Sequence, residues 1–290
     1  MDAPWLDLDL SMYPSFLSAI YRYVSRQSWV KALGEGTGTE LYMDDGRLCC
    51  SGPACGQDLL QGVSGAWCLG ECESGIRGTR LASMYPGLVV SAAMSQSDRL
   101  LVSAAVILSR RTRYSTNVRR WMRLIFRGLS RLDEDELLVA AKRAKGLPSP
   151  QPRLLSRLLP RLAEVIETST DPWSTRRELL RLPGVGPKTS DAILLFTALT
   201  TRIAPCDVHL EELANDLLGV RGARRPAKRY CIRYLECTRC PLRHQCLSGR
   251  IVSAYRGAAG LVQTIAYVYG RLGLMGWRRR LYEELEKYYR

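Results

Sequence analysis

The sequence predicts a mainly α chain preceded by a small α+β lobe, from three observations. Residues 96–206 and 207–290 read as successive apolar-periodic helices with short breaks. Residues 1–95 instead contain short runs punctuated by glycine, with Asp45-Gly46 between ELYM and RLCC as a hairpin signal. Between them, two helices meet at Pro183-Gly184-Val185-Gly186, a turn too short for anything but an αα-hairpin. The chain divides accordingly into a lobe (1–95), a helical body with the hairpin (96–206) and a helical part carrying a cysteine-rich loop (207–290).

Taken in order, a helix is expected around Phe16–Val24, then the glycine-punctuated runs. RLLVSAAVILS is apolar nearly all round and reads as a buried helix. It runs into Arg110-Arg111-Thr112-Arg113, and NVRRWMRLIFRGL follows as an amphipathic helix with a cationic face. Asp133–Lys145 starts acidic and ends basic, as the helix dipole prefers. GLPSPQP reads as a linker, LLSRLLPRLAEVIE and STRRELLRL as helices, and VHLEELANDLLG as a short helix ended by Gly219. RGARRPAKRY is a basic loop, and GLVQTIAYVYGRL with RRRLYEELEKYY supply two closing helices.

A net charge of +14 and a pI near 9.5 call for an acidic partner, nucleic acid first and an anionic membrane surface second. The excess is almost wholly arginine, because only six lysines occur, at 31, 142, 145, 188, 228 and 287. Arginine suits bidentate phosphate contacts, whereas lysine can lose its proton and act as a nucleophile. Two asparagines and the arginine load point toward a thermophile. No stretch reaches the length of a membrane span, and the N-terminus lacks a signal pattern. An intracellular chain, cytoplasmic or nucleoid-associated, is therefore expected, with no membrane partner. In that compartment closely spaced cysteines read first as ligands. Cys49, Cys50, Cys55, Cys68 and Cys72 match no ligand spacing and read as buried thiols or, in a hyperthermophile, a disulfide.

The hairpin carries the chemistry. Its glycines let the backbone approach a ligand, and Pro187 opens a helix whose first N–H groups lack partners, so the turn is an anion site suited to a nucleic-acid phosphate. Lys188 lies in the first turn of that helix, and Asp207 heads the next one, where helix capping alone would account for it. Cys231, Cys237, Cys240 and Cys246 follow at intervals of five, two and five residues, which favours ligation. Tetrahedral zinc and an iron–sulfur cluster both remain open on spacing alone.

LPGVGPKT followed by PCDVH resembles the helix-hairpin-helix signature of the DNA glycosylase superfamily that contains endonuclease III, the adenine glycosylase MutY and the 8-oxoguanine glycosylases. The cysteine loop resembles the [4Fe–4S] loop of endonuclease III and MutY, down to CPL at the third cysteine, although its first interval is five residues where that family has six. MYPGL (Met84–Leu88) is similar to the entry into the catalytic lobe of AlkA-like and 8-oxoguanine glycosylases. The resemblance implies a two-lobed helix-hairpin-helix glycosylase fold with a C-terminal iron–sulfur loop, acting as a monomer on duplex DNA that contains a damaged base. It implies Lys188 as the nucleophile at C1′, made neutral by partial burial and by the positive helix end, with Asp207 as the carboxylate that stabilises charge on the sugar. Gly184, Val185 and Gly186 become the phosphate grip, with Arg239 and Arg243 as further phosphate contacts. Arg110 or Arg111 fills the gap left by the extruded base, or contacts phosphate only. Cys206 is expected as a small apolar residue and His209 as a structural hydrogen-bond former.

The excised base is left open between an oxidised base and a mismatched thymine or uracil. A different class, a non-catalytic DNA-binding module, would use Lys188 as a phosphate contact and Asp207 as a cap.

Overall fold

The N-terminal lobe is built on alternation. In the computed structural model, which describes Met1–Arg290, α1 (Leu8–Met12) precedes four antiparallel strands, β1 (Tyr21–Ser25), β2 (Ser28–Lys31), β3 (Glu40–Asp44) and β4 (Arg47–Ser51). They pair in sequence order as a meander. The Asp45-Gly46 signal is met: Tyr42 faces Cys49, and both turn residues have positive φ (43° and 74°), the twist a two-residue hairpin needs. The helix expected around Phe16–Val24 is replaced by one helical turn, Phe16–Ala19, and strand β1. Tyr21 and Tyr23 are buried while Arg22 is exposed, so a period of two wins over 3.6 there. α2 (Gln57–Val63) and α3 (Leu69–Ile76) close the lobe. Cys50 and Cys55 form a disulfide, Cys49 is a half-buried thiol, and the buried Cys72 Sγ–H donates to Cys68 Sγ at 3.1 Å.

The body follows as α4 (Gln96–Leu108), α5 (Arg119–Phe126), α6 (Glu134–Gly146), α7 (Pro150–Glu167), α8 (Pro172–Arg181) and α9 (Pro187–Phe196). α4 is buried from Leu100 to Leu108, as its all-round apolarity requires, and packs on α5, α7 and α9. α6 begins at the Asp133 cap, whose carboxylate accepts the Glu136 N–H. Only 147–149 of the expected linker is irregular, because Pro150 enters the first turn of α7, where its missing N–H is no loss.

The remainder comprises α10 (Val208–Asp216), α11 (Lys228–Tyr234), α12 (Leu247–Tyr255), α13 (Ala259–Leu272) and α14 (Trp277–Tyr288). The basic loop gives way to α11 at Lys228, and α12 adds a helix not read from sequence. α13 is almost wholly buried and packs against α10 and α12. One apolar core runs through all three parts, from Leu8 through Leu101 and Leu159 to Leu285. No helix is long and apolar enough to cross a membrane.

Candidate active site and cysteine loop

α8 and α9 form the hairpin. Gly184 has φ +76°, and a Cβ there would stand 3.2 Å from the Arg110 guanidinium and 3.3 Å from Leu154, so glycine serves both conformation and space. Gly186 caps α9 without a side chain, which leaves the first turn open to a ligand. Val185 is buried and its N–H donates to the Leu182 carbonyl, so this member of the expected grip anchors the turn to the core.

Lys188 Nζ stands 3.9 Å from Asp207 Oδ2. The fold thus brings together two residues 19 positions apart in the chain. Asp207 is 9% exposed and its other oxygen accepts the Leu210 N–H at 3.0 Å, so it is indeed the α10 cap. Lys188 departs from expectation: its side chain is 58% exposed, because the first turn of α9 opens onto a cleft rather than the core.

That cleft, about 820 Å³, is walled by the Ser109–Thr116 segment, α9, the start of α10, α13 and the end of α14. Arg110 and Arg111 both line it, differently placed. Arg110 lies against Gly184, and its carbonyl accepts the Gln151 Nε2–H at 2.9 Å. Arg111 is exposed at the tip of the turn with φ +50°, a left-handed conformation costly for a residue with a Cβ. Cys206 is buried in the wall, and burial pushes its thiol up to about 12. His209, expected as a structural hydrogen-bond former, makes no hydrogen bond through Nδ1, which lies 3.8 Å from Glu212 Oε2; its structural part is edge-on packing against Tyr267 at 5.2 Å. The space it needs is left by Gly270, where a Cβ would fall 2.2 Å from Nδ1.

Three further wall groups were not legible from sequence. Gln263 on α13 is 5% exposed, and its Oε1 is buried without a partner in the cleft wall. A lone glutamine in the apolar run GLVQTIAYV was the available signal. Arg271 on the same helix pairs with Glu284 of α14 at 3.2 Å. Tyr289 closes the wall, with its carbonyl accepting the buried Arg119 Nη2–H at 2.9 Å.

The four loop cysteines converge. Cys231 on α11, Cys237 and Cys240 in the following turn, and Cys246 at the start of α12 line one small cavity with Arg176 and Arg243. The four thiols line one cavity, and four thiolates are the donor set of both tetrahedral zinc and a four-iron cluster. Burial pushes the Cys231 thiol up to about 11, opposed by the Arg176 guanidinium. Arg239 is exposed and paired with Glu236 at 3.2 Å, while Arg243 runs along the cavity wall.

No family model and no curated protein matches the sequence. Solved structures do match. MBOgg1 in complex with a low-affinity DNA ligand overlays 91% of the chain and 92% of its own, with TM-score 0.61 and 15% identity. The Clostridium acetobutylicum 8-oxoguanine glycosylase/lyase in complex with double-stranded DNA overlays 91% and 92%, with TM-score 0.62 and 12% identity. The 3-methyladenine DNA-glycosylase from Archaeoglobus fulgidus overlays 92% and 96%, with TM-score 0.57 and 14% identity. The chain has the fold of these glycosylase structures over almost its whole length.

Proposed function

We propose that the chain is a DNA glycosylase with AP-lyase activity, excising a damaged base from duplex DNA. The observation that carries this is the 3.9 Å approach of Lys188 Nζ to the Asp207 carboxylate, at the cleft and beside a glycine turn with an uncapped helix start. A phosphate next to the lesion sits on the turn, and the lesion nucleotide swings into the cleft. Lys188 gives up an ammonium proton to solvent, and its amine forms a bond to C1′ as the C1′–N bond to the base breaks, the base leaving with that electron pair. Asp207 stabilises positive charge on the sugar while the bond breaks. The amine then loses its proton, the sugar ring opens to a Schiff base, and loss of the C2′ proton expels the 3′ phosphate by β-elimination.

An oxidised base is the favoured substrate. Two facts support it: the unpartnered amide carbonyl of Gln263 in the cleft wall, and overlay on a protein described as an 8-oxoguanine glycosylase/lyase. A thymine or uracil mismatch is the alternative at the same site.

Cys231, Cys237, Cys240 and Cys246 are proposed to hold a [4Fe–4S] cluster. Such a cluster supplies a covalent tie between α11, the loop and α12, and a one-electron redox centre. Iron and sulfide analysis of anaerobically purified protein tests this; zinc in their place overturns it.

Borohydride reduction in the presence of an 8-oxoguanine duplex tests the chemistry. The parent protein is expected to cross-link covalently, and Lys188→Ala is not. Cross-linking of Lys188→Ala at the parental level removes that lysine from the mechanism. Binding without excision on a full lesion panel assigns the chain to the non-catalytic class.

A further inference from the structure

Beneath the cysteine cavity lies a buried ion pair that belongs to two sites at once. Arg176 of α8 and Asp191 of α9 are each 1% exposed. Arg176 Nε–H donates to Asp191 Oδ1 at 2.7 Å and Nη2–H to Oδ2 at 3.1 Å. The remaining arm, Nη1–H, donates to the Leu235 carbonyl. Leu235 follows α11 with φ +58° and lines the same cavity as the four cysteines. A strained, non-glycine conformation persists only where its surroundings hold it. Asp191 lies three residues beyond Lys188, about one turn along α9.

The guanidinium fork is rigid, so its three directions cannot be adjusted one at a time. Whatever fixes Leu235 fixes the third arm of Arg176, and with it the setting of α9 against α8. If the cysteine loop relaxes, a buried charge loses an acceptor, and the hairpin must shift to recover one.

Resting on the cluster and glycosylase readings above, we infer that Arg176 is a positioning residue that makes the phosphate grip of the hairpin depend on occupancy of the cysteine cavity. Loading the cavity holds Leu235, Arg176 and Asp191 in one arrangement, and the open first turn of α9 is held with them.

The test is a double cycle on the full chain. Affinity for a fluorescein-labelled duplex carrying a tetrahydrofuran abasic analogue is measured by anisotropy, before and after iron is stripped with ferricyanide and a chelator. Stripping is expected to weaken the parent about tenfold and Arg176→Lys less than about twofold, since the coupling is already lost in the variant. Asp191→Asn, which keeps shape and an acceptor, should behave as Arg176→Lys does. Asp98→Asn breaks the other buried ion pair, Lys31–Asp98 (2.8 Å), and should lose thermal stability while keeping the full iron dependence. Equal iron dependence in parent and Arg176→Lys, or none in the parent, overturns the proposal.

Hydrogen exchange on the unmutated protein covers variants that fail to fold. Iron removal should raise exchange in 184–191 as well as in 228–240, and a rise confined to 228–240 overturns the coupling. Iron analysis comes first: a preparation that never holds iron fails the cluster reading and this proposal together, whereas an iron-loaded protein without the coupling fails only the latter.

Discussion

Asp207 uses its two oxygens for two purposes: one accepts the Leu210 N–H, the other faces Lys188. The roles separate by substitution. Asparagine caps a helix about as well as aspartate, so Asp207→Asn should melt within about 0.5 kcal/mol of the parent, and alanine should lose about 1 kcal/mol. Both should slow single-turnover excision by about a hundredfold or more if the carboxylate stabilises the sugar charge. Parental excision by Asp207→Asn would reduce the residue to a cap. Asp9 shows the other fate of a buried carboxylate. It accepts the Gln27 N–H and the Trp29 Nε1–H, yet burial outweighs both and raises its pKa from 3.8 to about 6. The folded state thus holds this proton more tightly than the unfolded state. The resulting stability is complete below about pH 4 and is lost as pH rises through about 6, a difference of about 3 kcal/mol. Asp9→Asn does not titrate, so urea unfolding should show parent-minus-variant stability falling between pH 4 and pH 7.

At the scale of elements, the hairpin and the turn after α4 work as a pair. Gly184 gives the hairpin its tight turn and leaves room for Arg110, which folds back onto it. Arg111 is left at the tip in a left-handed conformation, exposed at the cleft. Backbone strain kept at such a site, where glycine would relax it, fits a side chain retained for its reach. Arg111→Gly should raise stability by about 1 kcal/mol and lower excision from a lesion duplex, with little change on a lesion in single-stranded DNA, where no opposite base is orphaned. Equal losses on both substrates would make Arg111 an ordinary phosphate contact.

At the scale of the whole molecule, the three parts read from sequence share one core. The apolar core is continuous, and Arg119 ties the N-terminal lobe to the end of the chain by donating to the Ser18, Tyr21 and Tyr289 carbonyls. Tyr289 in turn walls the cleft. Residues 96–290 expressed alone should therefore show no cooperative thermal transition by circular dichroism, since removing the lobe uncovers the core and orphans a buried guanidinium. A sharp melt of that fragment would make the lobe an independent addition.

The local sequence determined what depends on neighbouring residues: the helical periods of α4, α6 and α13, the Asp45-Gly46 turn, the glycine hairpin, and the Asp207 cap. It misread Phe16–Val24, where a short apolar run carries no clear period, and the linker before α7, where proline starts a helix instead of ending one. Only the tertiary structure decided that Lys188 is exposed, that Val185 is an anchor, and that Gln263, Tyr289 and the Arg176–Asp191 pair stand where they do. Periodicity and turn chemistry act over a few residues along the chain. Burial and charge pairing are set by residues that folding brings together from far apart, and no local pattern encodes those distances.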